Sequence, residues 1–168
     1  MTGDTAVRVT MHAARENLEH LRDLLAAYMA RKGLRSTEQR RLIIETFFHA
    51  PAHITIEELL GQVRSADPRV GYATVYRTLK LLAESGVASE RHFGDGLIRY
   101  ELADGDTHHD HLICVECHGI TEFEEPRIET LQDEVAIRYG FDLRTHKHEL
   151  YGVCAACQAQ KQSSKTRN

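Results

Sequence analysis

Two Cys-x-x-Cys pairs, Cys114-Val-Glu-Cys117 and Cys154-Ala-Ala-Cys157, stand 36 residues apart and contain every cysteine of the 168-residue chain. Two such knuckles supply four thiolates to one tetrahedral zinc and leave no open coordination position, which describes a structural site. A fold that satisfies them must bring two distant segments together. The gap is too wide for a compact zinc ribbon, so zinc would tie two strands around an intervening helix. Two disulfides would use the same cysteines, but the first residues carry no charged-then-apolar leader, and disulfides belong to exported chains. A thioredoxin-like redox pair fits less well, because the motif occurs twice and away from a βαβ pattern. His118, next to Cys117, reads as an exposed turn residue and not as a ligand.

Charge is placed unevenly around that motif. Residues 1–102 hold 14 Lys and Arg against 13 Asp and Glu, while residues 103–168 hold 7 against 12, giving the overall net charge of -4. The acidic part also holds six of the eleven histidines, and carboxylate, imidazole and thiolate together attract divalent cations. No run of about 18 apolar residues exists, so a membrane-spanning helix is not expected; a cytoplasmic location is the expectation.

Periodicity divides the chain further. After ten residues read as a frayed start, Met11, Ala14, Leu18, Leu21, Leu25 and Tyr28 recur at helical spacing until Gly33. Ser36-Thr-Glu-Gln39 reads as a capping box for a second helix carrying Leu42, Ile43, Thr46 and Phe47, stopped by Pro51. Thr55-Ile-Glu-Glu58 is a second capping box, and a third helix over 73–84 closes at Gly86. Residues 87–93 and 97–102 then alternate as strands around Gly94-Asp95-Gly96, a hairpin turn. Compact helices followed by a hairpin give the order of a winged helix-turn-helix.

The expected fold is therefore α+β: a winged helix-turn-helix domain over 1–102, a polar hinge at 103–107, a second domain over 108–157 and a disordered polar tail over 158–168. Strands are expected at 110–115, 119–123 and 141–151 in a small antiparallel sheet, with a helix entered through Pro126 and ended at Gly140. So small a domain has a thin core and needs a metal or a partner subunit.

Two further constellations carry chemistry. In His108-His109-Asp110-His111, an extended backbone would point His108 and Asp110 one way and His109 and His111 the other, which implies two different metal sites, with a solvated turn as the alternative. Glu122, Glu129 and His146 lie in the same domain. No H-E-x-x-H occurs, nor an H-x-E with a downstream P-C-x-x-C, so protease and deaminase zinc sites are not indicated. The third helix buries Val75, Leu79 and Leu82 and turns Ala73, Tyr76, Arg77 and Lys80 outward. An exposed tyrosine beside two cations suits a recognition helix, while a plain amphipathic surface helix remains the alternative. Arg31, Lys32, Arg40 and Arg41 would add phosphate contacts.

With these motifs in hand, the chain resembles the ferric uptake regulators, a family of metal-dependent bacterial repressors. The likeness covers about residues 25–157 and rests on Ala73-Thr-Val-Tyr-Arg-Thr-Leu79, the run from His108 to Cys117, Glu122-Phe123, His146 and Leu150-Tyr-Gly-Val-Cys154. It implies a homodimer with a winged-helix DNA-binding domain and an α/β dimerisation domain in each subunit. It assigns Cys114, Cys117, Cys154 and Cys157 to structural zinc. His53, Glu101, His109, His111 and Glu122 match a regulatory site, and His108, Asp110, Glu129 and His146 match an additional one. The regulatory set spans the hinge and lacks thiolate, which suits Fe(II), with Mn(II) or Zn(II) as substitutes. The resemblance thus implies an Fe(II)-activated repressor of iron-acquisition genes on an AT-rich inverted repeat, not an enzyme. Tetramer formation stays open.

Peroxide-, manganese- and zinc-sensing regulators of the same build are the alternatives. Glutamates at 101 and 122, where the peroxide branch carries aspartates, favour iron. The family's usual C-x-x-C-G is here Cys117-His118-Gly119, and the N-terminal helix is longer than typical. That helix is expected to pack on its own domain. His12, His20, His49, His92 and His148 read as solvated, with His92 on the wing.

Overall fold

The computed structural model describes residues 3–103 and 109–165, with side chains described over 17–103 and 109–162. His108 and most of the segment read as a hinge lie outside the described residues. The chain divides into two compact units, Met1–Gly105 and Asp106–Asn168.

The first unit runs α1 (Gly3–Arg31), α2 (Glu38–Phe48), β1 (Ile54–Thr55), α3 (Ile56–Ala66), α4 (Tyr72–Glu84), β2 (Ala88–His92) and β3 (Ile98–Leu102). The strands form one antiparallel sheet in the order β1-β3-β2. Ile43, Phe47, Leu59, Val63, Val75, Leu79 and Leu82 are buried at its centre, each contributing about 1.5–3 kcal/mol. The winged helix-turn-helix order is as expected, with β1 as an added strand: Ile54 pairs with Tyr100 and Thr55 with Arg99.

Helix ends show what the sequence signals mean. Gly33 and Gly86 take φ of 64° and 79°, the left-handed conformation that stops α1 and α4. The first box is displaced by one residue. Thr37, not Ser36, is the N-cap of α2, because its Oγ1 accepts the amide of Arg40 at 3.2 Å. The box at Thr55 is complete: its Oγ1 accepts from Glu58 N at 3.2 Å, and its own N donates to Glu58 Oε2 at 2.8 Å. Thr55→Ala is expected to lower stability by about 1 kcal/mol, read as a shift of the urea midpoint without a change of slope.

Helix α1 starts at Gly3, earlier than the frayed start expected from the first ten residues. No proline interrupts 3–31, and Ala, Leu, Met, Glu and Arg dominate it. Leu21, Leu25, Tyr28 and Met29 enter the core of the same unit. Arg22 grips Glu45 with both terminal nitrogens and lies over the Phe48 ring at 4.9 Å, while the Tyr28 hydroxyl donates to Glu84 at 3.1 Å. Over its described side chains, α1 packs on its own unit.

The second unit contains β4 (Asp110–Cys114), β5 (Ile120–Phe123), α5 (Pro126–Arg138), β6 (Glu149–Gly152) and α6 (Ala155–Lys165). Its sheet order is β5-β4-β6. Two expectations need correction here. The sheet is mixed, since β6 pairs parallel with β4: the chain leaves β5 through α5 and returns in the direction of β4. The last strand is only Glu149–Gly152, because the register that sets Glu149 opposite His111 would place 141–147 against residues preceding β4. A third correction concerns the tail. Residues 158–165 continue α6, whose first turn is fixed by Gln158 N on the Cys154 carbonyl at 3.0 Å and whose second is tied down by Lys161 Nζ on Glu116 at 2.6 Å. Residues 166–168 lie outside the described residues.

The core of this unit is thin. Ile113 and Cys114 are buried, but α5 has no buried side chain, and Leu131, Ile137, Tyr139 and Phe141 are exposed.

Candidate functional site

The two knuckles meet. Cys114 ends β4, Cys117 lies in the turn after it, and Cys154 and Cys157 flank the start of α6. Cys114 Sγ lies 3.9 Å from Cys157 Sγ and Cys117 Sγ lies 3.8 Å from Cys154 Sγ, so no disulfide links them. A tetrahedron with Zn–S bonds of about 2.3 Å has edges of about 3.8 Å, and the four sulfurs fit that ion. Backbone amides prepare the charge. Those of Cys117, Cys154 and Glu116 draw the Cys114 thiol down to about 6, with Cys154 N 3.3 Å from the sulfur. The neighbouring thiols of Cys154 and Cys117, with burial, push Cys157 up to about 12. Four adjacent thiolates repel one another, and a divalent cation removes that conflict.

A second cluster lies in the same unit. One ligand atom from each of Asp110, Glu129 and His146 falls within 4.8 Å of the others. Asp110 is 1% exposed, and His146 Nε2 stands 3.2 Å from Glu129 Oε2. His148, read from the sequence as solvated, belongs beside this cluster. It is half-buried, its Nδ1 lies 3.4 Å from Asp110, and its ring meets Phe123 edge-on. Nothing in the sequence signalled this, because the parallel pairing of β6 with β4 brings it there.

The third set is present as two pairs, one in each unit. In the first unit, His53 Nδ1 lies 2.8 Å from Glu101 Oε2, and both side chains are largely buried. Arg91 Nε donates to Glu101 Oε1 at 2.6 Å. Burial pushes the Glu101 carboxyl up, but His53 and Arg91 outweigh it and hold it below the ordinary carboxylate value. His53 has φ of 61°, a left-handed conformation that costs a non-glycine residue about 1–3 kcal/mol and turns its ring toward Glu101 and the edge of Phe93, 5.5 Å away. In the second unit, His111 on β4 stands directly opposite Glu122 on β5, and Glu149 flanks it from β6. His109, just before β4, is half-buried. The strand separates its neighbours as expected: Asp110 joins Glu129 and His146, while His111 joins Glu122.

The outward face of α4 carries Tyr72, Ala73, Tyr76, Arg77 and Lys80, all exposed, over buried Val75, Thr78, Leu79 and Leu82. Tyr72 extends the expected set and was findable, since it stands four residues before Tyr76 on the same stripe. Arg31 and Lys32 are exposed and hold their cations 5.2 and 5.7 Å from the Tyr28 ring centroid. Arg41 is exposed, whereas Arg40 is half-buried and directs its guanidinium to the carbonyl of Arg35.

Comparison with known proteins places this geometry. The model of the ferric uptake regulator family matches residues 31–151. The chain belongs to the ferric uptake regulator family. As a member, it is a metal-dependent DNA-binding regulator of transcription and not an enzyme. The ferric uptake regulation protein of Campylobacter jejuni is 42% identical over 150 residues, covering 87% of this chain and 95% of that one. Among solved structures, the Helicobacter pylori ferric uptake regulator, described as having three functional metal-binding sites, superimposes with a TM-score of 0.73 at 31% identity, over 86% of this chain and 93% of that one. A zinc-bound manganese uptake regulator gives 0.66 at 39% identity, over 77% and 98%.

One departure from the family motif has a structural account. His118 stands where the ferric uptake regulators usually carry glycine after the first knuckle, and it takes φ of 58°. Histidine is among the non-glycine residues enriched in that conformation, and the exposed side chain meets no obstacle to it. The glycine that follows is held close, since a Cβ on Gly119 would lie 3.4 Å from Cys117 Sγ.

Proposed function

We propose that this chain is an Fe(II)-activated repressor of iron-acquisition genes, working in the cytoplasm as a homodimer on an AT-rich inverted repeat. The observation that carries the reading is the split ligand set: His53 with Glu101 in one unit and His111 with Glu122 in the other, with His109 two residues before His111 in the chain. Both pairs can hold one ion only in one relative orientation of the units, so loading selects that orientation and, in the dimer, the spacing of the two α4 helices. Nitrogen and oxygen donors without thiolate suit Fe(II), with Mn(II) or Zn(II) as substitutes.

Cys114, Cys117, Cys154 and Cys157 hold structural zinc in this reading, and Asp110, Glu129 and His146, with His108, form the additional site. DNA is read through Ala73, Tyr76, Arg77 and Lys80, with Arg31, Lys32 and Arg40 on phosphates. The exposed apolar residues of the second unit, Leu131, Ile137, Tyr139 and Phe141, fit burial against a second copy. The likeness to a manganese uptake regulator supports Mn(II) sensing as the second reading.

The test is anaerobic fluorescence anisotropy on an AT-rich inverted repeat, with protein that retains its thiolate zinc and a scrambled duplex as control. Fe(II) and Mn(II) are expected to tighten specific binding at least about tenfold, a coupling of about 1.4 kcal/mol. His109→Ala is expected to remove that response and keep the fold by circular dichroism. Activation by Zn(II) alone would move the chain to zinc sensing, and no specific binding with any metal would end the reading for this operator class.

A further inference from the structure

Glu101 is shared between two partners. Oε2 faces His53 Nδ1 at 2.8 Å, and Oε1 accepts from Arg91 Nε at 2.6 Å. Arg91 stands on β2, and its register partner on β3 is Arg99. These are the two strong cations of the hairpin, and they are placed very differently. Arg99 is 4% exposed, with Nη1 and Nη2 on the Asp95 carboxylate at 3.1 and 2.6 Å and its guanidinium over Phe93, so it staples the wing turn from inside. The Arg91 side chain is 46% exposed, and the charge that balances it is the carboxylate assigned above to the regulatory ion.

We propose that Arg91 is a charge-exchange residue that couples the Glu101 half-site to the DNA affinity of the wing. The inference rests on the reading of His53 and Glu101 as ligands. Without a divalent ion, Glu101 neutralises Arg91, and the wing presents little net charge to a phosphate. When the carboxylate's charge is taken up by an ion, the guanidinium loses its counter-charge while it stays exposed on the hairpin that follows α4. It then serves as a phosphate-binding cation. Loading thus changes the wing's electrostatics as well as the orientation of the units.

The two consequences have opposite signs. A guanidinium on Glu101 repels an approaching divalent cation and competes for the carboxylate, so its removal tightens metal binding. Removing it also deletes one phosphate contact per subunit, but only in the loaded protein. A residue that merely held Glu101 in place would weaken both when removed.

Full-length protein with its thiolate zinc is compared as parent, Arg91→Gln, Arg91→Lys and Glu101→Gln. Mn(II) binding is measured calorimetrically without DNA, operator binding by anisotropy across a salt series with and without Mn(II), and folding by circular dichroism. Arg91→Gln is expected to bind Mn(II) about three- to tenfold more tightly. Its loaded form should lose about one unit of log–log salt slope per subunit, with the unloaded slope unchanged. Arg91→Lys, which keeps the charge, is expected to retain the parent's slope. Unchanged or weaker Mn(II) binding by Arg91→Gln, or an unchanged loaded slope, overturns the inference. If Glu101→Gln binds Mn(II) like the parent, the ligand reading fails and takes the inference with it. If Glu101→Gln loses Mn(II) while Arg91→Gln is silent, the inference alone fails.

Discussion

If the four cysteines hold the proposed zinc, Cys114→Ser protein is expected to emerge without it and with the second unit unfolded or loosely folded, while the first unit keeps its structure. The asymmetry follows from where apolar surface is buried. The first unit has a continuous core from Leu21 to Tyr100, including fully buried Leu59, Leu79 and Leu82. In the second, Ile113 and Cys114 are buried and α5 buries no side chain, so on the proposed reading ordering that chain depends on what the knuckles and a partner supply. Zinc held by four thiolates contributes on the order of 10 kcal/mol in small domains that fold only with metal, and a three-thiolate remnant forfeits much of it. Cys114 is the harshest choice, because it both ends β4 and receives the amide of Cys154 on its sulfur. Zinc analysis should fall by one ion per chain. Hydrogen exchange should quicken over Asp110–Cys114 and Ile120–Phe123, leave Ile56–Ala66 and Tyr72–Glu84 protected, and coincide with loss of the dimer. Retained zinc and an unchanged exchange pattern would show that the four sulfurs are not the structural site. Chelation of the parent should reproduce the variant, since the four thiols would then no longer tie the two knuckles through one ion.

How far the sequence reached depended on the distance over which each signal acts. Local signals carried well: the capping box at Thr55, the left-handed glycines 33 and 86, and the hairpin around Gly94-Asp95-Gly96 are all set by residues within a few positions. So was the alternation that parts Asp110 from His111, because strand geometry dictates it. The stripe of α4 was equally legible. What stayed hidden depended on pairing between distant segments. The parallel register of β4 and β6 brings His148 to Asp110 and Glu149 beside His111, and no turn or spacing in 111–149 encodes a parallel partner. Arg91 on Glu101 was hidden for a related reason: both are ordinary hairpin residues until the register sets them near one another. The tail misled because its composition is polar throughout, yet α6 starts at a knuckle whose Cys154 carbonyl accepts the first helical hydrogen bond, so the cysteine segment supplies a helix nucleus that composition does not record. His53 is the mixed case. A lone histidine before a capping box says nothing by itself; the motif resemblance selected it, and what the structure adds is its φ of 61° and its Nδ1 2.8 Å from Glu101.

Arg77→Ala is expected to weaken operator binding by at least about tenfold, and by up to about a hundredfold because the proposed dimer presents the helix twice, with metal content and melting temperature unchanged. Arg77 is exposed beside Tyr76 on a helix whose opposite side is fixed by Val75, Leu79 and Leu82, so truncating it removes a contact without opening the core. A guanidinium that reads a base edge is worth about 1–3 kcal/mol per contact. Tyr76→Phe separates two roles of the neighbouring ring: loss of affinity across all sequences assigns the hydroxyl to phosphate, and loss restricted to one base pair assigns the contact to readout. Lys80→Ala, one turn further along the same face, is expected to lower specific and scrambled duplex binding together and to flatten the salt dependence, as a phosphate contact does. Ala73 admits no such truncation, but Ala73→Leu would hold the helix off the groove and should weaken binding as strongly as Arg77→Ala. Parent-like operator affinity for Arg77→Ala would mean that another surface reads the DNA, and the assignment of α4 would fall even though the metal chemistry of the second unit stood.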